Sequence, residues 1–227
     1  PTQFGPKEDL AKYPRDFDRD ASLLEQEKTD IIFYPDSKEV YPKGYSTYVQ
    51  VRDLQNFLCG KSRVGHFVGV ATVVTKLFNI VRPHFAVFGQ KDYQQLKIIE
   101  RMVQDLNMDL EIIGYPTIRE NDGLAMSSRN TYLSPEERSR ALLIPTSLTE
   151  AERLFRNGTR DASLLKRELE RILKSKEEID IEYVSITDPE TLEDVEQIKD
   201  KALVAIACHI GKTRLIDNTV LMEEQNV

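Results

Sequence analysis

Residues 86–115, AVFGQKDYQQLKIIERMVQDLNMDLEIIGY, decide the fold. Residues 86–88 are apolar and predict a short strand, whereas residues 92–107 place their apolar side chains on one stripe and predict an amphipathic helix. Residues 110–115 predict a second strand, which ends at Pro116. A strand, a helix and a strand in this order predict two parallel strands joined by a right-handed crossover.

The same alternation of strand and helix continues on the N-terminal side of this unit. Residues 16–28 predict a helix, and residues 31–34 and 47–51 predict two further strands because they are rich in β-branched and aromatic side chains. Residues 69–81 predict a buried helix that ends before Pro83. We therefore predict an α/β fold with a doubly wound parallel sheet.

The last third of the chain predicts a second, smaller α+β domain. Ser134 and Glu137 have the spacing of a capping box and predict the start of a helix that runs to about residue 157. A helix over residues 161–174, a strand over 181–186 and a hairpin of strands over 202–210 and 214–221 follow. We expect one domain over residues 1–130 and the other over residues 131–227.

Composition and charge limit the partners of the protein. The 227-residue chain has a formal net charge of −7 and a pI near 5.2, which argues against a broad basic surface for nucleic acid. It contains no stretch of the roughly 20 apolar residues that a membrane span needs. Cys59 and Cys208 stand far apart, outside any metal-binding spacing, which fits a reducing cytoplasm. We expect small-molecule ligands, with neither nucleic acid nor membrane as a partner.

A polar loop of Gly89, Gln90, Lys91 and Asp92 connects the first strand of the unit to its helix. Ligands of open parallel sheets bind at this end of the strands, and the N-terminus of a helix attracts anions. Lys91 adds a mobile cation that suits phosphate. The alternative is that Asp92 and Gln95 form an acidic capping box, and the spacing does not decide between the two.

A second polar loop covers residues 124–130, LAMSSRN, after the turn residues 121–123. The hydroxyl groups of Ser127 and Ser128 lie next to the guanidinium group of Arg129, which can hold two phosphate oxygens at once. These groups suit a polyphosphate. The alternative is an ordinary polar loop at the domain boundary.

Arg63 and His66 form a further basic group, although a single histidine is more often a structural hydrogen-bonding residue than a catalyst. Residues 60–62, GKS, look like the end of a phosphate-binding loop, but Gln55 stands where the first glycine is required. We therefore reject that motif. The three histidines are remote from one another in sequence, so a metal triad has little support.

Five motifs follow one another along essentially the whole chain. They are PTQFG, EDL and YPR within residues 1–15, GHFVGVATVV over 65–74, FGQKDYQQ over 88–95, DGLAMSSRN over 122–130, and RLIDN over 214–218. In this order they resemble the pantothenate synthetase (pantoate–β-alanine ligase) family. The resemblance implies a nucleotidyltransferase-like Rossmann fold and a homodimer.

The resemblance also implies an ATP- and Mg²⁺-dependent ligation in two steps. The carboxylate of pantoate would attack the α-phosphorus of ATP, giving pantoyl adenylate and pyrophosphate. The amine of β-alanine would then attack the acyl carbon, giving pantothenate and AMP. Fixed cations would stabilise the negative charge that gathers in the first transition state.

Residue roles carry over from the resemblance position by position. The residues implied to bind ATP are Gly89, Gln90, Lys91, Asp92, Ile118, Met126, Ser127, Ser128 and Arg129. Among these, Lys91 and Arg129 would be catalytic. Gln3 and Gln95 would bind pantoate, and Gln3 would also lie near β-alanine. Arg63 and His66 would support the triphosphate and β-alanine side.

The chain departs from the family pattern at two places. Val64 replaces a proline between Arg63 and Gly65, which frees the local backbone but spares the polar residues. The first strand and helix of the family, with a His-x-Gly-His phosphate motif, have no counterpart, and we expect the working protein to carry them before Pro1. The alternatives are another adenylyl- or cytidylyltransferase of the same fold, or a non-catalytic binding or dimerisation fragment.

Overall fold

The computed structural model describes residue 3, residues 15–176 and residues 178–223. The family motif within residues 1–14, apart from Gln3, lies outside the described residues. The helices are α1 (Phe17–Gln26), α2 (Ser37–Val40), α3 (Leu58–Ser62), α4 (His66–Val81), α5 (Tyr93–Asp105), α6 (Pro135–Ala141), α7 (Leu143–Arg156) and α8 (Ala162–Leu173). The strands are β1 (Phe85–Gly89), β2 (Glu111–Tyr115), β3 (Ile179–Thr187), β4 (Lys201–Ile210) and β5 (Thr213–Met222).

The predicted strand–helix–strand unit is confirmed. β1 and β2 pair in parallel, with Phe85 opposite Glu111 and Gly89 opposite Tyr115. The connecting helix α5 buries most of its predicted apolar stripe, in which Ile99 is fully inaccessible to solvent, whereas Leu106 at the end of the stripe is 51% exposed. The carboxyl ends of both strands, and the loops that leave them, therefore lie at the same edge of the sheet.

The two strands predicted nearer the N-terminus are wrong. Residues 31–34 form no strand, and Ile31 is 83% exposed. The ring of Tyr34 packs instead on Phe17 of α1, with 4.5 Å between ring centroids. Residues 47–51 also form no strand, and the backbone N–H of Val49 donates to the hydroxyl of Thr72 in α4 at 2.9 Å and not to a neighbouring strand. β-branched and aromatic composition did not separate a strand from an extended segment packed on helices.

The second part of the chain is a three-stranded antiparallel sheet covered by α6, α7 and α8. The sheet order is β3-β4-β5, and the predicted hairpin turns at Gly211, which has a positive φ of 57°. The capping box is confirmed, since Ser134 Oγ accepts the N–H of Glu137 at 3.2 Å. The single helix predicted from there is broken into α6 and α7 because Pro145 has no N–H for the carbonyl of Ala141.

The described residues thus form an α/β fold with a two-stranded parallel sheet and a three-stranded antiparallel sheet. One apolar cluster joins α6–α8 to the antiparallel sheet. A second cluster packs α4 and α5 against Leu203 and Ala205 of β4. The two parts share this second cluster. The antiparallel sheet therefore packs next to α5, the helix that follows β1. The boundary between residues 130 and 131 stays a prediction.

One buried amide fixes the segment that leads into α3. Gln94 of α5 is 5% exposed, and its Nε2 donates to the carbonyl oxygens of Leu54 and Phe57, at 2.8 Å each. Gly60 follows within α3, where a Cβ would collide with the carbonyl of Gln55. The GKS sequence is therefore part of a closely packed helix, which agrees with the rejection of a phosphate-binding loop.

We expect Gln94→Leu to lower the free energy of unfolding by about 2 kcal/mol, because the carbonyl groups of Leu54 and Phe57 each lose a hydrogen bond from a buried amide. Denaturant unfolding followed by circular dichroism measures this change. Gln104→Leu is the matched control on the exposed face of α5 and should change stability by no more than about 0.5 kcal/mol. Equal destabilisation of the two variants would contradict the role of the Gln94 hydrogen bonds.

Candidate active site

A pocket lies where the N-terminus of α5 faces the antiparallel sheet. Five residues predicted from the sequence line it: Arg63, His66, Lys91, Asp92 and Gln95. The sheet contributes Arg214, Asp217 and Asn218, to which the sequence reasoning assigned no role. Three different segments of the chain therefore bring their polar groups to one cavity.

The first loop (residues 89–92) starts at the last residue of β1 and contains a 3₁₀ turn, Gln90–Asp92, that leads into α5. Asp92 precedes α5, but its side chain makes no capping hydrogen bond to that helix. The capping-box alternative is therefore wrong for Asp92 and Gln95. A Cβ at Gly89 would meet open space, so close packing does not account for the glycine. The polar groups of the first loop are consistent with ligand binding.

Lys91 is the cation at the centre of this arrangement. Burial lowers the pKa of its ammonium group, while the carboxylates of Asp92 and Asp217 oppose that shift. Arg129 is near enough to lower the pKa of Lys91 further. A partly desolvated ammonium group beside a second cation is stabilised by an incoming anion, so the site is electrostatically suited to phosphate.

His66 has a defined hydrogen-bonded position. Its Nδ1 lies 2.7 Å from the backbone carbonyl of Gln3, and its Nε2 lies 2.9 Å from a guanidinium nitrogen of Arg63. A carbonyl only accepts and a guanidinium group only donates, so these partners assign the proton to Nδ1 of a neutral ring. His66 therefore orders Arg63 and contacts the main chain of Gln3, although Gln3 itself does not line the pocket.

The second loop (Ile118–Arg129) is a hairpin closed by a hydrogen bond from the N–H of Met126 to the carbonyl of Ile118, at 2.9 Å. Ser127 Oγ accepts the N–H of Arg129 at 3.3 Å, and a 3₁₀ turn begins at Ser128. These residues, together with Gly89 and Gln90, do not line the pocket itself. The second loop acts on the site through the charge of Arg129, which lowers the pKa of Lys91.

The back wall of the pocket contains an ion pair that sequence reasoning missed. Arg214 of β5 donates to Glu182 of β3 at 2.7 and 3.0 Å, and Ser62 of α3 donates to the same carboxylate at 2.5 Å. The guanidinium group also lies 3.3 Å from Cys59 Sγ, which is 3.1 Å from the hydroxyl of Tyr183. The cluster ties α3, the helix before Arg63, to the antiparallel sheet.

The charge of Glu182 is stabilised in place. Burial by itself would raise the pKa of this carboxyl group, but hydrogen bonds from Arg214 and Ser62 outweigh it and hold the pKa below the ordinary value of 4.5. One weak signal for the cluster is present in the sequence, a glutamate between the apolar residue Ile181 and Tyr183 of β3. Its partner lies 32 positions away, so no local pattern identifies the pair.

Polar loops at the carboxyl ends of two parallel strands, with cations clustered beside them, define an α/β protein with a site for a small anionic ligand. A family model described as pantoate-beta-alanine ligase matches residues 1–220. The chain therefore belongs to the pantoate–β-alanine ligase family.

Individual relatives agree with this assignment. A pantothenate synthetase of Thermotoga petrophila is 58% identical over 221 residues, which is 97% of this chain and 79% of that protein. A pantothenate synthetase structure from Thermus thermophilus superimposes with a TM-score of 0.93 at 44% identity, over 96% of this chain and 79% of that one. The chain thus spans about four-fifths of the length of these relatives.

One further solved structure contains ligands. It is the pantoate-beta-alanine ligase of Francisella tularensis, complexed with beta-gamma ATP and beta-alanine. Its TM-score is 0.75 at 30% identity, over 100% of this chain and 77% of that one.

Among the residues that the present structure describes, no helix has the length and apolar character to span a membrane.

We expect Glu182→Gln to destabilise the protein at neutral pH and to lose this effect in acid. A carboxyl group whose pKa is lowered by folding adds stability above its unfolded pKa, and that stability disappears as the pH falls through the lower folded pKa. Thermal unfolding between pH 7 and pH 3 should show the difference from wild type shrinking below about pH 4.5.

The exposed Glu193→Gln is the matched control and should follow the wild-type midpoint over this range. A constant difference between Glu182→Gln and wild type at every pH would show that the side chain acts through packing and not through its charge.

Proposed function

We propose that this chain catalyses the ATP-dependent condensation of pantoate with β-alanine to pantothenate, through a pantoyl-adenylate intermediate and with release of AMP and pyrophosphate. The observation that carries the proposal is the placement of Lys91 beside Gln95, Arg63 and His66 in one pocket of a pantoate–β-alanine ligase family member. The ATP-type and β-alanine ligands of the Francisella relative support the same substrate classes.

In the first step, a carboxylate oxygen of pantoate forms a bond to the α-phosphorus of ATP, and the bond from that phosphorus to the β-phosphate oxygen breaks. Lys91 and Arg129 hold phosphate oxygens and stabilise the added negative charge. Gln95 and Gln3 orient pantoate through amide groups that both donate and accept hydrogen bonds. Asp92 accepts hydrogen bonds from ribose hydroxyls.

The remaining residues implied for ATP have roles of the same kind. Gly89 and Gln90 carry the backbone of the first loop alongside the nucleotide, and Ile118 meets the adenine through its main chain. Met126, Ser127 and Ser128 form the phosphate-facing part of the second loop. Their position on a closed hairpin supports this role, because a hairpin fixes neighbouring donors relative to one another.

Magnesium accompanies the nucleotide in this proposal. The described residues contain no group of three or more His, Cys, Asp or Glu side chains that could hold a metal. Mg²⁺ usually keeps several waters and is bound by substrate phosphates with few protein carboxylates. The described residues therefore fit an ion carried by ATP, which would neutralise phosphate charge.

In the second step, the β-alanine amine attacks the acyl carbon of the adenylate, loses a proton, and displaces AMP. Arg63 and His66 line the pocket, and His66 contacts the main chain of Gln3, so we place β-alanine near these three residues.

The proposal includes a cytoplasmic homodimer. Exposed apolar side chains at Ile31, Phe33 and Tyr34 support a dimer, since they are surface that a second copy could cover.

The adenylation step predicts an exchange reaction. The natural protein that carries this sequence should transfer radioactive pyrophosphate into ATP when pantoate is present and β-alanine is absent. Exchange that needs another organic acid in place of pantoate would contradict the substrate and favour a different nucleotidyltransferase. A lack of exchange with every acid would contradict the adenylate intermediate.

We expect Lys91→Met to lower kcat/KM for ATP by about 100-fold or more, because a fixed cation is lost where transition-state charge develops. Steady-state kinetics of pantothenate formation measures the loss. Lys166→Met, on the exposed face of α8, removes the same charge away from the pocket and should leave kcat/KM within about twofold. Retention of wild-type kinetics by Lys91→Met would overturn the catalytic role.

We expect Gln95→Leu to raise KM for pantoate about tenfold while KM for ATP changes by less than about twofold, because the amide is proposed to contact only the acid. The same kinetic measurement with each substrate varied separately gives both constants. Gln104→Leu on the same helix is the control. A parallel rise of both KM values would place Gln95 outside a pantoate-specific site.

A further inference from the structure

β5 contacts both proposed nucleotide loops through two consecutive residues. The side-chain amide of Asn218 donates to the carbonyl oxygens of Gln90 and Lys91, at 3.0 and 2.8 Å. The carboxylate of Asp217 accepts two hydrogen bonds from Arg119, at 2.7 and 3.2 Å. Asp217 is 3% exposed and Asn218 is 9% exposed, so these contacts are largely shielded from water.

The hydrogen bonds of Asn218 set the direction of the first-loop peptide groups. In a trans peptide the N–H points opposite to the carbonyl. With the carbonyls of Gln90 and Lys91 turned toward Asn218, the N–H groups of Lys91 and Asp92 point to the opposite side of the loop. Asn218 thus fixes the direction of the backbone donors at the start of α5, and donors at a helix N-terminus are groups that bind an anion.

Asp217 positions the second loop through Arg119. Its carboxylate holds Arg119, and the same guanidinium group donates to the carbonyl of Gly123 across the hairpin at 3.1 Å. The ion pair is bidentate, so it fixes both the position and the orientation of the Arg119 guanidinium group. The charge of Asp217 also counters the effect of burial on the pKa of Lys91. One carboxylate therefore acts on both loops.

We propose that Asp217 and Asn218 are positioning residues for the nucleotide, through which β5 fixes the first loop relative to the second. Lys91 and Arg129 then meet the phosphates of one ATP molecule. This inference rests on the proposed function, and it assigns ATP affinity to a strand of the antiparallel sheet. Neither residue takes part in the bonds that form or break.

The test uses two substitutions at Asn218. Both remove the side-chain donor, but only one of them keeps the size and shape of the side chain. Asn218→Ala removes the donor, and Asn218→Asp keeps the shape but turns a carboxylate toward two carbonyl oxygens. We expect Asn218→Ala to raise KM for ATP, and the dissociation constant of a non-hydrolysable ATP analogue, about tenfold. Asn218→Asp should raise both further, while KM for pantoate changes less than about twofold.

Thr219→Val is the matched control on the same strand. It removes a hydrogen bond from Thr219 Oγ1 to Glu152 of α7, which is 2.8 Å long and does not involve either loop. Its affinity for the ATP analogue should stay within about twofold of wild type. A space-filling role for Asn218 predicts the reverse order, with Asn218→Asp close to wild type and Asn218→Ala impaired, and that order overturns the inference.

Arg119→Lys keeps the inference testable if the Asn218 variants do not fold. Arg119 is partly exposed, and lysine retains the charge opposite Asp217 but cannot form the bidentate pair of hydrogen bonds. We expect a threefold to tenfold loss of ATP-analogue affinity with an unfolding temperature close to that of wild type. Wild-type affinity in Arg119→Lys overturns the inference. Wild-type protein that binds no ATP analogue overturns the proposed function itself.

Discussion

The parallel pairing of β1 with β2 is the constraint on which the candidate site depends. Its register sets Gly89 opposite Tyr115, so both strands end at the same level and their loops leave from one edge. An antiparallel pair would send these loops to opposite ends of the sheet. Helix α5 follows the first of these loops directly, and its N-terminus therefore faces the same space as the hairpin of the second.

Cations gather in this space although the chain as a whole is acidic. The net charge is −7, yet Arg63, Lys91 and Arg214 all line one pocket. Neighbouring groups offset the free-energy cost of removing each cation from water. They are His66 for Arg63, the Asp92 and Asp217 carboxylates for Lys91, and Glu182 for Arg214. Local compensation of this kind lets an acidic protein bind an anionic ligand without a basic surface.

Sequence reasoning succeeded where the determinants are local. The strand–helix–strand unit and the Ser134 capping box depend on residues within one or two turns of each other, and both are confirmed. It failed at residues 31–34, because composition does not reveal whether a neighbouring strand exists. Asn218 and Glu182 received no role, because their partners lie 127 to 128 and 32 positions away, and such pairings come from the tertiary fold.

Isotope transfer tests most directly whether the site activates pantoate through adenylate formation. Pantoate labelled with oxygen-18 in both carboxylate positions is converted by the natural protein with ATP and β-alanine, and the products are analysed by mass spectrometry. The account predicts AMP that carries a single labelled oxygen and pantothenate that carries the other. Unlabelled AMP, or label in inorganic phosphate released together with ADP, would contradict it.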